Sequence, residues 1–220
     1  MGSRYEDVTK FCTLTFPRSG STWLMSLLHS HPQIGAYGEA FLDRVPKLAW
    51  YNEAFLPGER FCQFRDSTRW IRPWSTFRYL ESLIGGFSEE YEALGFKLMY
   101  RQLLRKPEIL LKMILDRYKI IHLVRENHLD VRISSLITRK RGEAHSNEET
   151  DVPVVHLDPS LLVMRLKLRK NVVRTTRFIL GVLPLSVIEV TYESLCKDTE
   201  RTLSTVAGFL SVEPYTDYQS

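Results

Sequence analysis

Hydroxyl and basic side chains surround a glycine near the start of the chain. The stretch runs from Thr15 to Trp23 and reads Thr-Phe-Pro-Arg-Ser-Gly-Ser-Thr-Trp. A glycine-bearing turn that leads into a helix presents free backbone N–H groups and the positive end of the helix dipole, and these two features bind phosphate. The Ser and Thr hydroxyl groups add hydrogen-bond donors, and Arg18 adds a forked cation. The pattern therefore predicts a phosphate-binding loop.

The loop lacks the ending that a nucleoside triphosphatase requires. That ending is Gly-Lys followed by Ser or Thr, in which the lysine reaches the terminal phosphates. No Gly-Lys pair occurs anywhere in the sequence. An ATPase or a P-loop kinase is therefore disfavoured, while a non-catalytic nucleotide-binding module that keeps the loop is an alternative to an enzyme.

Two further blocks place polar residues directly after predicted strands. The second block has Arg125 in this position, with Ser134 nine residues later and Ser135 beside it. The third block has Tyr192 directly after the last predicted strand. Alone, an arginine at a strand end commonly pairs with a carboxylate. In the same chain as the first block, a role for Arg125 in phosphate binding is favoured.

In this order, the three blocks resemble the sulfotransferases that use 3′-phosphoadenosine-5′-phosphosulfate (PAPS), and the second block is closest in spacing to bacterial carbohydrate sulfotransferases of the trehalose type. The resemblance implies that the first block binds the 5′-phosphosulfate, that Arg125 with Ser134 or Ser135 binds the 3′-phosphate, and that Tyr192 lies near the adenine. The implied cosubstrate-binding residues are Arg18, Ser19, Gly20, Ser21, Thr22, Trp23, Arg125, Ser134 and Tyr192. Many members add a basic C-terminal segment to this pocket. Residues 211–220 contain no Lys or Arg, so we expect that wall to be open or built otherwise.

The same resemblance implies a reaction. PAPS is the expected cosubstrate, no metal is expected, and the expected acceptor is a hydroxyl group of a small molecule or carbohydrate. In-line transfer needs a base for the hydroxyl proton. Glu39 resembles the carboxylate base of tyrosylprotein and related sulfotransferases, which follows a His-Pro pair, here His31-Pro32. We expect Gly38 to let the chain turn sharply and aim this carboxylate at the loop.

Other side chains are candidates for the same chemistry. Lys97 lies on a predicted strand, where it is either the cation that steadies the transferring group or an exposed strand lysine. His29 and His31, near the end of the first predicted helix, are rival bases. His122 alternates within a strand and is expected to be a packed residue. The predicted catalytic residues are Glu39, Arg18 and Lys97.

A later predicted helix has one apolar and one basic side. The apolar stripe, which is expected to face the core, consists of Leu161, Met164, Leu168, Val172 and Ile179. The basic residues are Arg165, Arg169, Lys170, Arg174 and Arg177. We expect these side chains to be solvated. Attraction of an acidic acceptor or of the nucleotide is the alternative.

The elements that must position these residues alternate along the chain. β-Branched and aromatic runs predict strands at about residues 11–16, 95–100, 119–124 and 187–191. Stretches with helical spacing separate or follow these strands. The alternation predicts an α/β fold, with a mostly parallel β-sheet flanked by helices in a single three-layer domain over residues 1–220.

Two segments interrupt the alternation. An insertion at about residues 41–86 is rich in aromatic residues, and a polar loop spans about residues 142–158. Most aromatic rings of the insertion are expected to pack in the core. A wall that binds the acceptor is the alternative, because ligand pockets are mostly apolar with a few polar groups.

Composition limits the class of protein. The chain has 220 residues, 44% hydrophobic and 25% charged, with a net charge of +4, which is ordinary for one globular domain. This weak positive charge suits an anionic ligand, but no nucleic-acid motif accompanies it. Three widely spaced cysteines match neither a disulfide scaffold nor a metal site and predict a cytoplasmic protein. No apolar run reaches the roughly 18 residues of a membrane span.

Overall fold

Five parallel strands form one sheet in the ranges that the computed structural model describes, residues 7–42, 61–67, 71–141 and 158–218. The strands are β1 (Thr9–Thr15), β2 (Ile34–Glu39), β3 (Ala93–Met99), β4 (Lys119–Val124) and β5 (Ser186–Thr191). Their order is β2-β3-β1-β4-β5, and every neighbouring pair is parallel. The predicted α/β class with a parallel sheet is confirmed.

Helices follow the strands and cover the sheet. In the described ranges they are α1 (Ser21–His29), α2 (Phe61–Ser67), α3 (Trp74–Gly85), α4 (Tyr100–Arg105), α5 (Glu108–Leu115), α6 (His128–Arg141), α7 (Pro159–Val182), α8 (Tyr192–Lys197) and α9 (Thr199–Leu210). Successive side chains of a strand point to opposite faces of the sheet. Accordingly, Cys12 and Leu14 of β1 pack with α3 and α5, whereas Phe11 packs with α1 and α9. The fold therefore has the three predicted layers.

Aromatic rings of the predicted insertion belong to the core. Phe41, Phe61 and Tyr79 are buried and lie with ring centroids 5.1 to 5.3 Å apart. Trp74, in contrast, is 56% exposed. Residues 43–60 and 68–70 of the insertion lie outside the described ranges, as do residues 142–157 of the predicted polar loop.

The segment that contains Glu39 differs from the prediction. Gly38 and Glu39 do not form a sharp turn but belong to β2, whose pairing with β3 shifts register between Tyr37 and Glu39. This strand escaped prediction because glycine is depleted in strands, and β2 contains both Gly35 and Gly38. Glu39 is therefore positioned by the end of a strand rather than by a turn.

The face of α7 that packs on the protein also differs from the prediction. Val173 and Leu180 are the buried residues of this helix, whereas Leu161, Met164 and Leu168 of the predicted stripe are 47% to 62% exposed. Residues four and seven positions apart lie on the same side of a helix. The buried side of α7 therefore includes Arg169, which precedes Val173 by four residues.

Parallel pairing brings the carboxyl ends of all five strands to one edge of the sheet. This edge is where open α/β sheets bind ligands. The residues at or directly after the strand ends are Phe16, Glu39, Tyr100, Arg125 and Tyr192. Residues from all three sequence blocks therefore lie at the same edge.

Candidate active site

The loop between β1 and α1 has a left-handed backbone and a close contact at its centre, and together they favour glycine there. Gly20 has a φ of 81°, and a Cβ atom there would lie 2.3 Å from Cδ2 of Tyr192. Gly20 caps α1 and has no side chain to occupy the first N–H groups of that helix. Ser21, Thr22 and Trp23 form its first turn. The N-terminus of α1 can therefore donate hydrogen bonds to an anion, as the sequence predicted.

Tyr192 brings the third block against the first two. The guanidinium carbon of Arg125 lies 4.3 Å from the centroid of the Tyr192 ring. The ring of Trp23 packs edge-on against Tyr192, with the two ring centroids 6.2 Å apart. Glu193 accepts hydrogen bonds from the backbone N–H groups of Glu126 and Asn127 at 3.2 and 3.0 Å. These bonds fix the turn that follows Arg125.

Arg18 contacts the serine predicted to share its ligand. Its Nε donates a hydrogen bond to Oγ of Ser134 at 3.0 Å. The hydroxyl of Ser135 instead donates to the carbonyl oxygen of Val131, in its own helix, at 2.8 Å. Of the two serines, Ser134 therefore faces the loop. Burial, followed by the nearby charge of Arg125, lowers the pKa of Arg18.

Glu39 and Lys97 form an ion pair on the other side of the loop. The two residues are register partners on β2 and β3, and Nζ of Lys97 lies 3.6 Å from Oε1 of Glu39. The same Nζ donates to Oγ1 of Thr22 at 3.4 Å. Lys97 is only 3% exposed, so it is not the exposed strand lysine of the alternative interpretation. Its burial lowers its pKa, and the charge of Glu39 partly offsets this effect.

Comparison with known proteins identifies the family of the chain. Residues 12–217 match the model of the sulfotransferase family. The chain belongs to the sulfotransferase family. The predicted family is therefore confirmed. A search of curated proteins gave no match.

Solved sulfotransferases share the fold. A sulfotransferase from Alicyclobacillus acidocaldarius is 18% identical, with a TM-score of 0.54, and the match covers 96% of this chain and 86% of that one. The sulfotransferase domain of the Synechococcus PCC 7002 olefin synthase is 20% identical, with a TM-score of 0.52 and coverage of 94% and 74%. A mouse sulfotransferase complexed with PAP is 17% identical, with a TM-score of 0.45, and the match covers 94% of this chain. The chain spans 60% of the length of that mouse protein.

The candidate site includes a glutamine that sequence analysis missed. Gln102 donates from Nε2 to Oε2 of Glu39 at 3.2 Å and to the carbonyl oxygen of Phe41 at 3.1 Å. Its Oε1 accepts the backbone N–H of Met99 at 2.8 Å. Gln102 lies three residues after Met99, the N-cap of α4, and its side chain accepts the N-cap N–H as in a capping box, which is the signal that could have located it. Gln102 thus holds the oxygen of Glu39 that Lys97 does not face.

Arg169 is a second missed residue, because its helix was expected to present its arginines to solvent. It donates from one terminal nitrogen to Oγ of Ser19 at 3.0 Å, and its guanidinium carbon lies 4.2 Å from the ring centroid of Phe16. Burial, partly offset by Tyr100 and assisted by the charge of Arg125, lowers the pKa of Arg169 to about 10. Only the three-dimensional packing of α7 reveals that this arginine faces the loop.

A chain of polar groups lies beneath the loop of the candidate site. His122, which is 1% exposed, contacts the hydroxyl of Tyr100 and lies 3.0 Å from Oε2 of Glu189. Arg177 donates two hydrogen bonds of 2.7 Å to the Glu189 carboxylate. Tyr100 in turn packs edge-on against Phe16, with centroids 4.6 Å apart. Burial lowers the pKa of His122, and its contacts place it among packed residues beneath the loop.

The two rival histidines lie at the far end of α1. The nine residues of α1 rise by about 13 Å from the loop. His31 is buried there, with Nε2 2.9 Å from the carbonyl oxygen of Glu213 and Nδ1 accepting the N–H of Gln33. His29 accepts the N–H of Ala36 at 3.3 Å. Neither imidazole is placed beside the loop, whereas Glu39 is.

In the described ranges, no group of three or more His, Cys, Asp or Glu side chains could hold a metal ion. No helix in those ranges is long and apolar enough to cross a bilayer.

Proposed function

We propose that this sulfotransferase transfers the sulfuryl group of PAPS to a hydroxyl group of a small-molecule or carbohydrate acceptor, with Glu39 as general base. The observation that carries the proposal is the hydrogen bond from Arg18 to Ser134, two residues 116 positions apart. It joins the first and second sequence blocks in one place, as a shared nucleotide would require. Family membership supports sulfuryl transfer as the class of reaction.

The donors at this place suit a nucleotide with two phosphate groups. The open N-terminus of α1 and Arg18 would hold the 5′-phosphosulfate. Arg125 and Ser134 would hold the 3′-phosphate, and the ring of Tyr192 would lie beside the adenine. Nε of Arg125 is buried and has no hydrogen-bond partner among the described residues. A buried donor of this kind is costly unless it is paired, which favours a ligand that supplies an acceptor.

PAPS supplies the sulfuryl group: the bond from the acceptor oxygen to sulfur forms while the bond from sulfur to the 5′-phosphate oxygen breaks, and adenosine 3′,5′-bisphosphate leaves. The protein's part in such a reaction is mainly positioning and electrostatic stabilisation. Glu39 takes the proton of the acceptor hydroxyl. Lys97 holds the carboxylate in place beforehand, since its ammonium group is 3.6 Å away. Lys97 and Arg18 stabilise the negative charge that develops on the departing oxygen.

A non-catalytic nucleotide-binding module is the second candidate. Such a module would need Arg18, Arg125 and Ser134 but no base. The Glu39–Lys97 pair favours the enzyme, because burial of the Lys97 charge is costly and brings a nucleotide-binding module no benefit. A P-loop kinase is disfavoured by the absence of a Gly-Lys pair from the sequence.

Titration calorimetry separates these candidates. We expect adenosine 3′,5′-bisphosphate to bind more tightly than ATP, since only the former carries a 3′-phosphate for Arg125 and Ser134. Tighter binding of ATP would contradict the proposal. Transfer of labelled sulfate from PAPS onto a metabolite extract, followed by mass spectrometry, would then identify the acceptor. Labelling of protein tyrosine alone would reject the small-molecule acceptor while leaving the reaction class intact.

A further inference from the structure

Arg169 reaches the phosphate loop from a helix that belongs to none of the three sequence blocks. Its side chain lies on the buried side of α7, where it donates to Ser19 and stacks on Phe16. Both partners belong to the loop that precedes α1. Ser19 itself is 1% exposed, so Arg169 contacts the inner part of the loop rather than its rim.

The charge of Arg169 is poorly compensated by the rest of the described structure. The residues described include no carboxylate within ion-pair distance of Arg169, and its Nε is buried there without a hydrogen-bond partner. The neighbouring cation Arg125 acts on both Arg169 and Arg18 by like-charge repulsion. Burying a cation among cations is unfavourable unless an anion joins them. Three arginines that converge on one loop therefore define a place where an anion is stabilised.

We propose that Arg169 is a third cation of the nucleotide site and binds a phosphate ester oxygen of the nucleotide, together with Arg18 and Arg125. This inference rests on the proposed function, because it assumes that the loop binds a phosphorylated nucleoside. A guanidinium group presents five N–H donors, of which Ser19 accepts one. The remaining donors can contact phosphate in the forked geometry that arginine favours.

The alternative is that Arg169 only holds the loop in place through Ser19. The two roles predict opposite effects on the ligand-free protein. If Arg169 only holds the loop, Arg169→Gln should lower the thermal midpoint of the ligand-free protein. If Arg169 binds phosphate, removal of a buried cation beside Arg125 should leave that midpoint unchanged or raise it, whereas the increase in midpoint caused by adenosine 3′,5′-bisphosphate should become smaller.

The test measures nucleotide affinity by titration calorimetry on the full chain. We expect Arg169→Gln to weaken binding of adenosine 3′,5′-bisphosphate about tenfold or more, as for loss of a charge-assisted hydrogen bond. Arg169→Lys keeps the charge but loses the forked donor geometry of the guanidinium group, so its loss of affinity should be smaller. Arg174→Gln, an equal charge change at an exposed position on another side of α7, is the matched control and should change affinity less than twofold. Adenosine 3′-phosphate and adenosine 5′-phosphate identify the phosphate concerned, because only the nucleotide that carries it should lose affinity.

The results distinguish failure of the proposed function from failure of the role of Arg169. If the wild-type protein does not bind the bisphosphate, the proposed function fails. If it binds and Arg169→Gln binds equally well, only the role of Arg169 fails. An equally large loss of affinity for adenosine, which has no phosphate, also overturns the role of Arg169 in phosphate binding. Should Arg169→Gln not fold, unchanged affinity of Arg169→Lys for all three nucleotides, at low and at high salt, would overturn it as well.

Discussion

The two sides of the phosphate loop hold charge in different ways. On the side of β4 and β5, Arg18, Arg125 and Arg169 converge, and the carboxylates described near Arg125 are Asp130, 3.3 Å away, and Glu193, whose pKa the charge of Arg125 helps to lower. On the side of β2 and β3, the buried Lys97 and the partly buried Glu39 form an ion pair, and Gln102 donates to the second carboxylate oxygen. The first side has an excess of positive charge, and the second is balanced.

This difference separates binding from chemistry. An excess of cations costs free energy until an anion arrives, so it suits tight binding of a group that stays charged, such as a phosphate ester. A balanced acid–base pair already compensates its charges, so it suits a group that changes its protonation during the reaction. If this division is correct, substitutions on the arginine side should mainly change nucleotide affinity, and substitutions on the Glu39 side should mainly change turnover.

The largest expected effect is on turnover. Glu39→Gln keeps the size and hydrogen-bonding capacity of the side chain but cannot accept the hydroxyl proton, so kcat should fall by about 10²–10⁴-fold. Affinity for adenosine 3′,5′-bisphosphate should change little. Single-turnover assays and calorimetry measure the two quantities. Glu90→Gln, at an exposed carboxylate, is the control. Near-normal turnover of Glu39→Gln with the true acceptor would remove Glu39 as the base.

The next effect is on affinity. Arg125→Ala should weaken binding of adenosine 3′,5′-bisphosphate by about 1.5–3 kcal/mol, the typical contribution of a charge-assisted hydrogen bond. Adenosine 5′-phosphate should be affected far less, because it lacks the 3′-phosphate. Calorimetry with both nucleotides measures the difference, with Arg201→Ala, an exposed arginine of α9, as control. Equal losses for the two nucleotides would show that Arg125 does not contact the 3′-phosphate.

A smaller effect tests how Glu39 is positioned. Gln102→Ala removes the hydrogen bond to Oε2 of Glu39, and loss of one hydrogen bond to a charged group should lower kcat roughly tenfold. Nucleotide affinity should remain unchanged. The decisive measurement is a double-mutant cycle with Glu39→Gln. If Gln102 acts through the carboxylate, Gln102→Ala should have little further effect on the rate of Glu39→Gln, whereas an undiminished tenfold loss would indicate an independent, structural role.

Local sequence patterns predicted those parts of the site that are set by the backbone and by the order of strands and helices along the chain. The glycine turn, the strand-to-helix alternation and the residues directly after each strand are local features, so Gly20, Arg125 and Tyr192 could be placed at one edge. Gln102 and Arg169 could not, because their roles depend on which neighbours a fold brings to them. The error over α7 shows the reason. Its hydrophobic periodicity pointed to Leu161 and Met164, but Val173 and Leu180 are the buried residues, and tertiary contacts overrode the pattern.

The smallest expected effect concerns stability rather than rate, and it tests whether Lys97 is buried as a charged group. Burial lowers the pKa of Lys97 below its ordinary value of 10.5. Between the lowered pKa and 10.5, the unfolded chain binds a proton at this lysine that the folded chain has lost. The free energy of unfolding therefore gains a contribution that rises with pH in this window. In Lys97→Met this contribution is absent.

The measurement is urea unfolding of both proteins at several pH values from neutral to about 10. Tyrosines with raised pKa values, Tyr37 and Tyr100 among them, lower the free energy of unfolding at the upper end of this range. Because both proteins contain these tyrosines, their contribution cancels in the difference. We expect the free energy of unfolding of the wild type, minus that of Lys97→Met, to increase as pH rises. A constant difference would mean that Lys97 has an ordinary pKa and is solvated. The contrast between the two sides of the loop would then be lost.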